Sequence, residues 1–160
     1  MIEHPIPPLY DECSKVLILG SFPSVKSREQ MFFYGHPQNR FWKVIAGVFD
    51  KEVPVTVADK KTLLQSLHIA VWDVIASCDI SGSADSSIRN VVPNDLNIIL
   101  GNADIKQVFV NGKTAEKFFN KYQNRTINRK AVCLPSTSPA NAAWKLEKLI
   151  DEWSIIKEYI

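Results

Sequence analysis

Three cysteines, three histidines and no long apolar run set the first limits on this 160-residue chain. Cys13, Cys78 and Cys133 are odd in number and form no CxxC pair. Neither a disulfide framework nor a four-thiolate cluster can be built from them. His4, His36 and His68 have no ligand spacing to a cysteine, so no metal and no cofactor are expected. No stretch approaches the ~18 consecutive apolar residues that a membrane span requires, and Met1 to Pro5 lack a charged segment leading into an apolar one. A cytoplasmic protein with reduced thiols and no membrane contact is expected. The dinucleotide pattern GxGxxG and the phosphate loop GxxxxGKS/T are also missing.

What the chain does have is apolar mass: 46% apolar residues against 22% charged. That balance excludes disordered and coiled-coil classes and suits one globular domain over residues 1–160, acting as a monomer. The net charge of +2 conceals an uneven distribution. Residues 106–130 carry Lys106, Lys113, Lys117, Lys121, Arg125, Arg129 and Lys130 against Glu116 alone, a net +6. Residues 26–49 add +3, through Lys26, Arg28, Arg40 and Lys43 against Glu29, whereas residues 50–104 carry −4. A fold that gathers the two basic segments presents a positive face to a polyanion; the alternative is a solvated helix face.

Four β-branched runs, Val16–Leu19, Ile69–Trp72, Gln107–Val110 and Ala131–Leu134, read as strands buried on both faces. They are separated by stretches long enough for helical crossovers. Helices are expected over 38–49, over 94–100 with Asn94 as cap, after Gly112, and from Ser138 as cap with Pro139 at the first turn. In this last helix Ala142, Leu146, Leu149, Trp153 and Ile156 form one stripe. The polar stretch 79–92 reads as a surface loop or lid. The fold class is therefore α/β, a three-layer α/β/α sandwich on a four-stranded, mostly parallel sheet. Ligands of such sheets bind at the carboxyl ends of the strands. That places Gly20 to Ser24, Asp73 to Ser77, Asn111 to Lys113 and Pro135 to Pro139 around the site.

Gly20-Ser21-Phe22-Pro23-Ser24, followed by Gly35-His36-Pro37-Gln38-Asn39-Arg40-Phe41-Trp42-Lys43-Val44-Ile45, resembles the first motif region of the uracil-DNA glycosylase superfamily. The likeness is closest to its mismatch-specific and hypoxanthine-DNA glycosylase branches. Leu134-Pro135-Ser136-Thr137-Ser138-Pro139-Ala140-Asn141 resembles the second motif of the hypoxanthine branch. Two departures stand out: many relatives carry an Asp or Asn at the position of Phe22, and a histidine where this chain has Leu134. The resemblance implies a monofunctional glycosylase that removes deaminated bases, hypoxanthine foremost, from DNA by base flipping. Asn39, in the first turn of its helix, would then hold the attacking water by positioning and electrostatics. Its alternative role is helix capping.

The resemblance also distributes the binding roles. Tyr34 would stack on the extruded base, with Phe22 and Ser21 beside it, although these aromatics also suit a core. Asp73 would accept from N1–H of hypoxanthine and repel the N1 lone pair of adenine. Ser24, Lys26, His36, Arg40, Lys113, Ser136, Thr137 and Ser138 would meet the DNA, Thr137 as a wedge and the two serines as a phosphate clamp. A uracil or G/U mismatch-specific glycosylase is the nearest alternative function. A noncatalytic nucleic-acid or nucleotide-binding module is the alternative of another class.

Overall fold

The computed structural model describes residues 1–124 and 126–160; Arg125, counted above in the basic segment, lies outside the described residues. In chain order the elements are β1 (Ile2–Glu3), β2 (Val16–Gly20), α1 (Val25–Gln30), α2 (Phe41–Phe49), α3 (Val57–Ser66), β3 (Ile69–Asp73) and β4 (Ile75–Asp79). They continue with β5 (Arg89–Pro93), α4 (Asn97–Leu100), β6 (Gln107–Asn111), α5 (Lys113–Tyr122), β7 (Ala131–Leu134) and α6 (Leu146–Trp153). Short 3-10 turns cover Asp85–Ser87 and Ser154–Tyr159.

The four apolar runs form a parallel sheet in the order β3-β2-β6-β7, flanked by helices. Strands β2 and β3 are buried along their whole length, as continuous rather than alternating hydrophobicity requires. On the open edge of β3, Leu9 pairs with Val71 through two backbone hydrogen bonds of 3.0 and 2.9 Å. The chain ahead of β2 thus closes an edge that would otherwise be exposed. Helices α2 and α6 pack on each other, α5 packs on β6 and β7, and α3 on β3. Trp153, Phe41, Phe109 and Phe119 are the largest side chains fully enclosed between these layers.

Three sequence expectations change. The stretch 79–92 is more than a loop: β5 pairs with β4, and β4 with β1, in a second, antiparallel sheet. Its strands are short and half exposed, so they carry little apolar signal. Asn94 caps no helix, since α4 starts at Asn97. Its side-chain amide instead donates to the carbonyls of Asp73 (2.8 Å) and Ile75 (3.2 Å), fixing the junction of the two sheets. Helix α6 begins at Leu146 rather than Ser138. Carbonyls that a helix through 138–144 would use internally are taken by Arg40, which donates to those of Ser138 (3.0 Å), Asn141 (3.1 Å) and Trp144. A tertiary contact overrides local preference here.

The turn from β6 into α5 passes through Gly112 at φ 94°, and a β-carbon there would stand 2.9 Å from Cβ of Ser136. Strain and overlap act together at this position. Gly82 at φ 60° meets nothing within 4 Å. Gly112→Ala is therefore expected to destabilise by about 2–4 kcal/mol and Gly82→Ala by about 1 kcal/mol. Urea titration of the two variants checks the order, and equal losses would mean that the Ser136 loop yields freely.

Candidate active site

The carboxyl ends of β2, β3 and β6 and the loop after β7 converge on a cavity of about 380 Å³. It lies at the lower end of the range for small-ligand sites. Ser21, Phe22, Ser24, Tyr34, His36, Asn39, Asp73, Ser136, Thr137 and Ser138 all line it. A second cavity, lined by Gly112, Lys113, Thr114, Cys133 and Trp144, shares Asp85, Asn111, Ser136 and Ser138 with the first. Together they form one groove. Lys26 is not part of it; its side chain is exposed and faces Glu29 at 3.5 Å.

Asn39 sits just ahead of α2, before Arg40, rather than in the first helical turn. Its Oδ1 accepts from the backbone N–H of Phe41 (2.9 Å) and from the hydroxyl of Thr137 (2.8 Å). The Thr137 hydroxyl in turn accepts from Nδ2 of Asn111 (3.0 Å), while Asn111 Oδ1 accepts from the N–H of Thr137 (3.1 Å). A backbone N–H can only donate, so the amide of Asn39 has one orientation: its oxygen is held by Phe41 and Thr137, which leaves the NH₂ group as the free end of a residue that lines the cavity. The capping role and the pocket role thus coexist in one side chain. Thr137 is fully buried, and this corrects its reading as a wedge against DNA. Its hydroxyl is spent on Asn39 and Asn111.

Arg40 differs likewise from its expected role. Beyond the three carbonyls its guanidinium holds, its backbone N–H donates to the carbonyl of Thr137 (3.0 Å). The side chain ties the first motif to the second instead of standing free for a phosphate. Ser136 Oγ accepts from the N–H of Ser138 (3.1 Å), and Ser138 Oγ from that of Ala140 (3.2 Å), so both hydroxyls brace the loop while lining the cavity. Ser24 caps α1 in the same manner, accepting from Ser27 N–H (3.1 Å). The Nδ1 of His36 accepts from Gln38 N–H (3.1 Å), which leaves its Nε2 to donate.

Asp73 ends β3 with only 4% of its surface exposed. Its Oδ2 lies 2.7 Å from Nε2 of His4. A β-carbon at Gly20 would overlap Oδ1, so the absence of a side chain there is what admits the carboxylate. Tyr34, held at φ 51°, stacks on Phe41 with centroids 4.0 Å apart. Its hydroxyl is shut from solvent near Asp73 and Asn111, without a well-formed hydrogen bond among the described residues. Burial above all, then the charge of Asp73, push ionisation of this phenol above its ordinary range, against a smaller opposing effect of Asn111. The hydroxyl therefore stays protonated at neutral pH.

Sequence reasoning placed Asn111 near the site without a role and missed Asp85 and the contact of His4. As the last residue of β6, Asn111 was named by the rule that puts the site at strand ends, but its bonds to Thr137 were not foreseen. Asp85 comes from the 3-10 turn after β4 and stands near Thr114 and Ser21, where desolvation raises its carboxyl above the usual range against both hydroxyls. His4, weighed only as a metal ligand, is 69 positions from Asp73.

Comparison with known proteins places this geometry in context. The family model for the uracil DNA glycosylase superfamily matches residues 7–157. A hypoxanthine DNA glycosylase of Methanosarcina barkeri is 30% identical over 114 residues, 70% of this chain and 72% of the relative. Another from Methanosarcina acetivorans is 28% identical over 158 residues, 98% of each chain. Among solved structures, the solution NMR structure of a candidate uracil DNA glycosylase from Methanosarcina acetivorans superposes with a TM-score of 0.78 at 26% identity, covering 98% of this chain and 99% of that one.

Replacing Thr137 by Val keeps its volume but removes the donor to Asn39 and the acceptor for Asn111. Leaving these buried groups unpaired should lower stability by about 1–3 kcal/mol. Thermal melting together with single-turnover base release is the check. The chain of bonds through Thr137 predicts that activity falls further than the population of folded protein does.

Proposed function

Because this chain belongs to the uracil DNA glycosylase superfamily and is a DNA glycosylase, we propose that its substrate is hypoxanthine in deaminated DNA, extruded from the duplex into the cavity beneath Asn39. The observation that carries this reading is the buried carboxylate of Asp73, an acceptor-only group at the cavity wall. Hypoxanthine offers it the N1–H; adenine offers a lone pair and is repelled. The names of the two Methanosarcina relatives favour the same base.

In the proposed mechanism Asn39 donates from its NH₂ group to a water below C1′. The C1′–N9 bond breaks with its electron pair leaving on the base, the sugar gains cationic character, and the water oxygen bonds to C1′. The proton that water sheds ends on the departing base, so that neutral hypoxanthine and a C1′ hydroxyl result. An amide whose oxygen is already occupied is no general base. Its contribution is positioning, which suffices when the sugar is already an electrophile. Tyr34 and Phe22 give the base its aromatic surroundings, and base–aromatic stacking contributes about 1–3 kcal/mol. Ser136, Ser138 and the exposed Lys113 at the start of α5 border the adjoining groove that would take the strand.

Single-turnover cleavage of duplexes containing hypoxanthine, uracil or only normal bases tests the function directly. Asn39→Ala should lower hypoxanthine release by at least about a hundredfold while leaving DNA affinity within about threefold. Activity within threefold of the parent would make Asn39 structural. Asp73→Asn should relax discrimination against adenine by about ten- to a hundredfold, because an amide can turn its N–H toward the adenine N1. Lys113→Glu should weaken binding to damaged and undamaged duplex alike and flatten the log–log salt dependence by about 0.9 for each phosphate no longer neutralised. An unchanged slope would remove Lys113 from the footprint.

A further inference from the structure

The side chain of His4 is buried, 3% exposed, in a position no motif marks. Three aromatic rings set its plane: Phe22 edge-on at 5.9 Å, Trp72 edge-on at 6.3 Å and Phe33 tilted at 6.3 Å. The segment that bears it is fixed to the sheets, with His4 N–H donating to Ala76 (2.7 Å) and Trp72 Nε1 donating to the carbonyl of Ile6 (3.3 Å). Nδ1 of His4 accepts from the backbone N–H of Ile6 at 3.2 Å. Because that group can only donate, Nδ1 carries the lone pair and the ring proton sits on Nε2. It is donated to Asp73 Oδ2 at 2.7 Å.

We infer that His4 is a positioning residue for base selection: by committing one oxygen of Asp73 and fixing the plane of the carboxylate, it leaves Oδ1 as the single acceptor for the N1–H of the extruded base. This rests on the proposed reading of Asp73 and deepens it. The opposite oxygen is bounded on the other side by Gly20, where a β-carbon would overlap it, and the Tyr34 hydroxyl lies 3.2 Å from that same β-carbon position. Rotation of the carboxylate would break the His4 bond before it could present a different face. A buried carboxylate without that donor would be free to turn and would lose the geometry on which discrimination depends.

Two variants in the full chain separate this role from packing. His4→Phe retains an aromatic ring among Phe22, Phe33 and Trp72 but cannot donate. His4→Gln can place an N–H near the site of Nε2. Single-turnover release of hypoxanthine is measured beside thermal melting, for both variants and for each combined with Asp73→Asn. His4→Phe should slow release by about thirtyfold and His4→Gln should recover to within about threefold of the parent. In the Asp73→Asn background, His4→Phe should cost less than about threefold more, since residues acting through one contact do not add. Failure of Gln to rescue in a folded protein, or losses that multiply in the double variant, would overturn the inference. Should His4→Phe not fold, the Gln variant and its combination with Asp73→Asn decide by the same criteria. A parent protein that releases no hypoxanthine would overturn the proposed substrate and the inference together. An active parent with multiplying losses overturns the inference alone.

Discussion

A carboxylate held at the end of a buried parallel strand is the constraint around which the rest of this structure is arranged. Asp73 has left bulk water almost completely, and an ionised group in that position is tolerated only when each of its lone pairs faces a donor or a defined opening. The neighbouring strand meets this by ending in Gly20, whose missing side chain makes room for Oδ1. The amino-terminal segment meets it by folding across the edge of β3 and delivering Nε2 of His4 to Oδ2. Asn94 holds the backbone carbonyl of the same residue, so the side chain and the main chain are both fixed. Three distant parts of the sequence thus fix one residue, two of them at its carboxylate oxygens, and the cavity gains an acceptor at its wall.

A second polar chain lines the same cavity, running from Asn111 through Thr137 to Asn39. It spans the ends of β6 and the loop after β7, and Arg40 binds the two motifs together by holding three carbonyls of that loop. The chemistry that results is economical. In the proposed mechanism a donor for a water and an acceptor for a base would both be presented without reorganisation, which is the condition under which modest polar groups accelerate a reaction most. Asp85 lines both cavities and adds a second carboxyl where they adjoin.

Which parts of this were legible in the sequence follows from physical range. The parallel strands were plain, because burial on both faces leaves continuous β-branched runs such as Val16–Leu19. The site could be placed at their carboxyl ends for the same reason, and Asn39, Tyr34 and Asp73 do meet in one cavity. The second sheet was hidden, since β4 and β5 are short and half exposed and offer no periodicity against solvent-facing loops. Ser138 and Pro139 make a good local helix start, yet the helix begins at Leu146 because Arg40, almost a hundred positions earlier, takes the carbonyls. The inward turn of Thr137 and the reach of His4 to Asp73 are long-range in the same sense. Nothing local distinguishes a loop threonine that faces DNA from one that braces an amide.

The account turns on the N1–H of the base meeting Asp73, and the substrate can be altered at that atom while the protein is left intact. Single-turnover excision from otherwise identical duplexes containing hypoxanthine or N1-methylhypoxanthine is the direct measurement. With the N1–H replaced by a methyl group that hydrogen bond cannot form and the carboxylate faces an apolar substituent, so release is predicted to fall by at least about a hundredfold. Release of the two bases at rates within about threefold of each other would mean that N1 does not face Asp73, and the assignment of base selection to that carboxylate would be wrong.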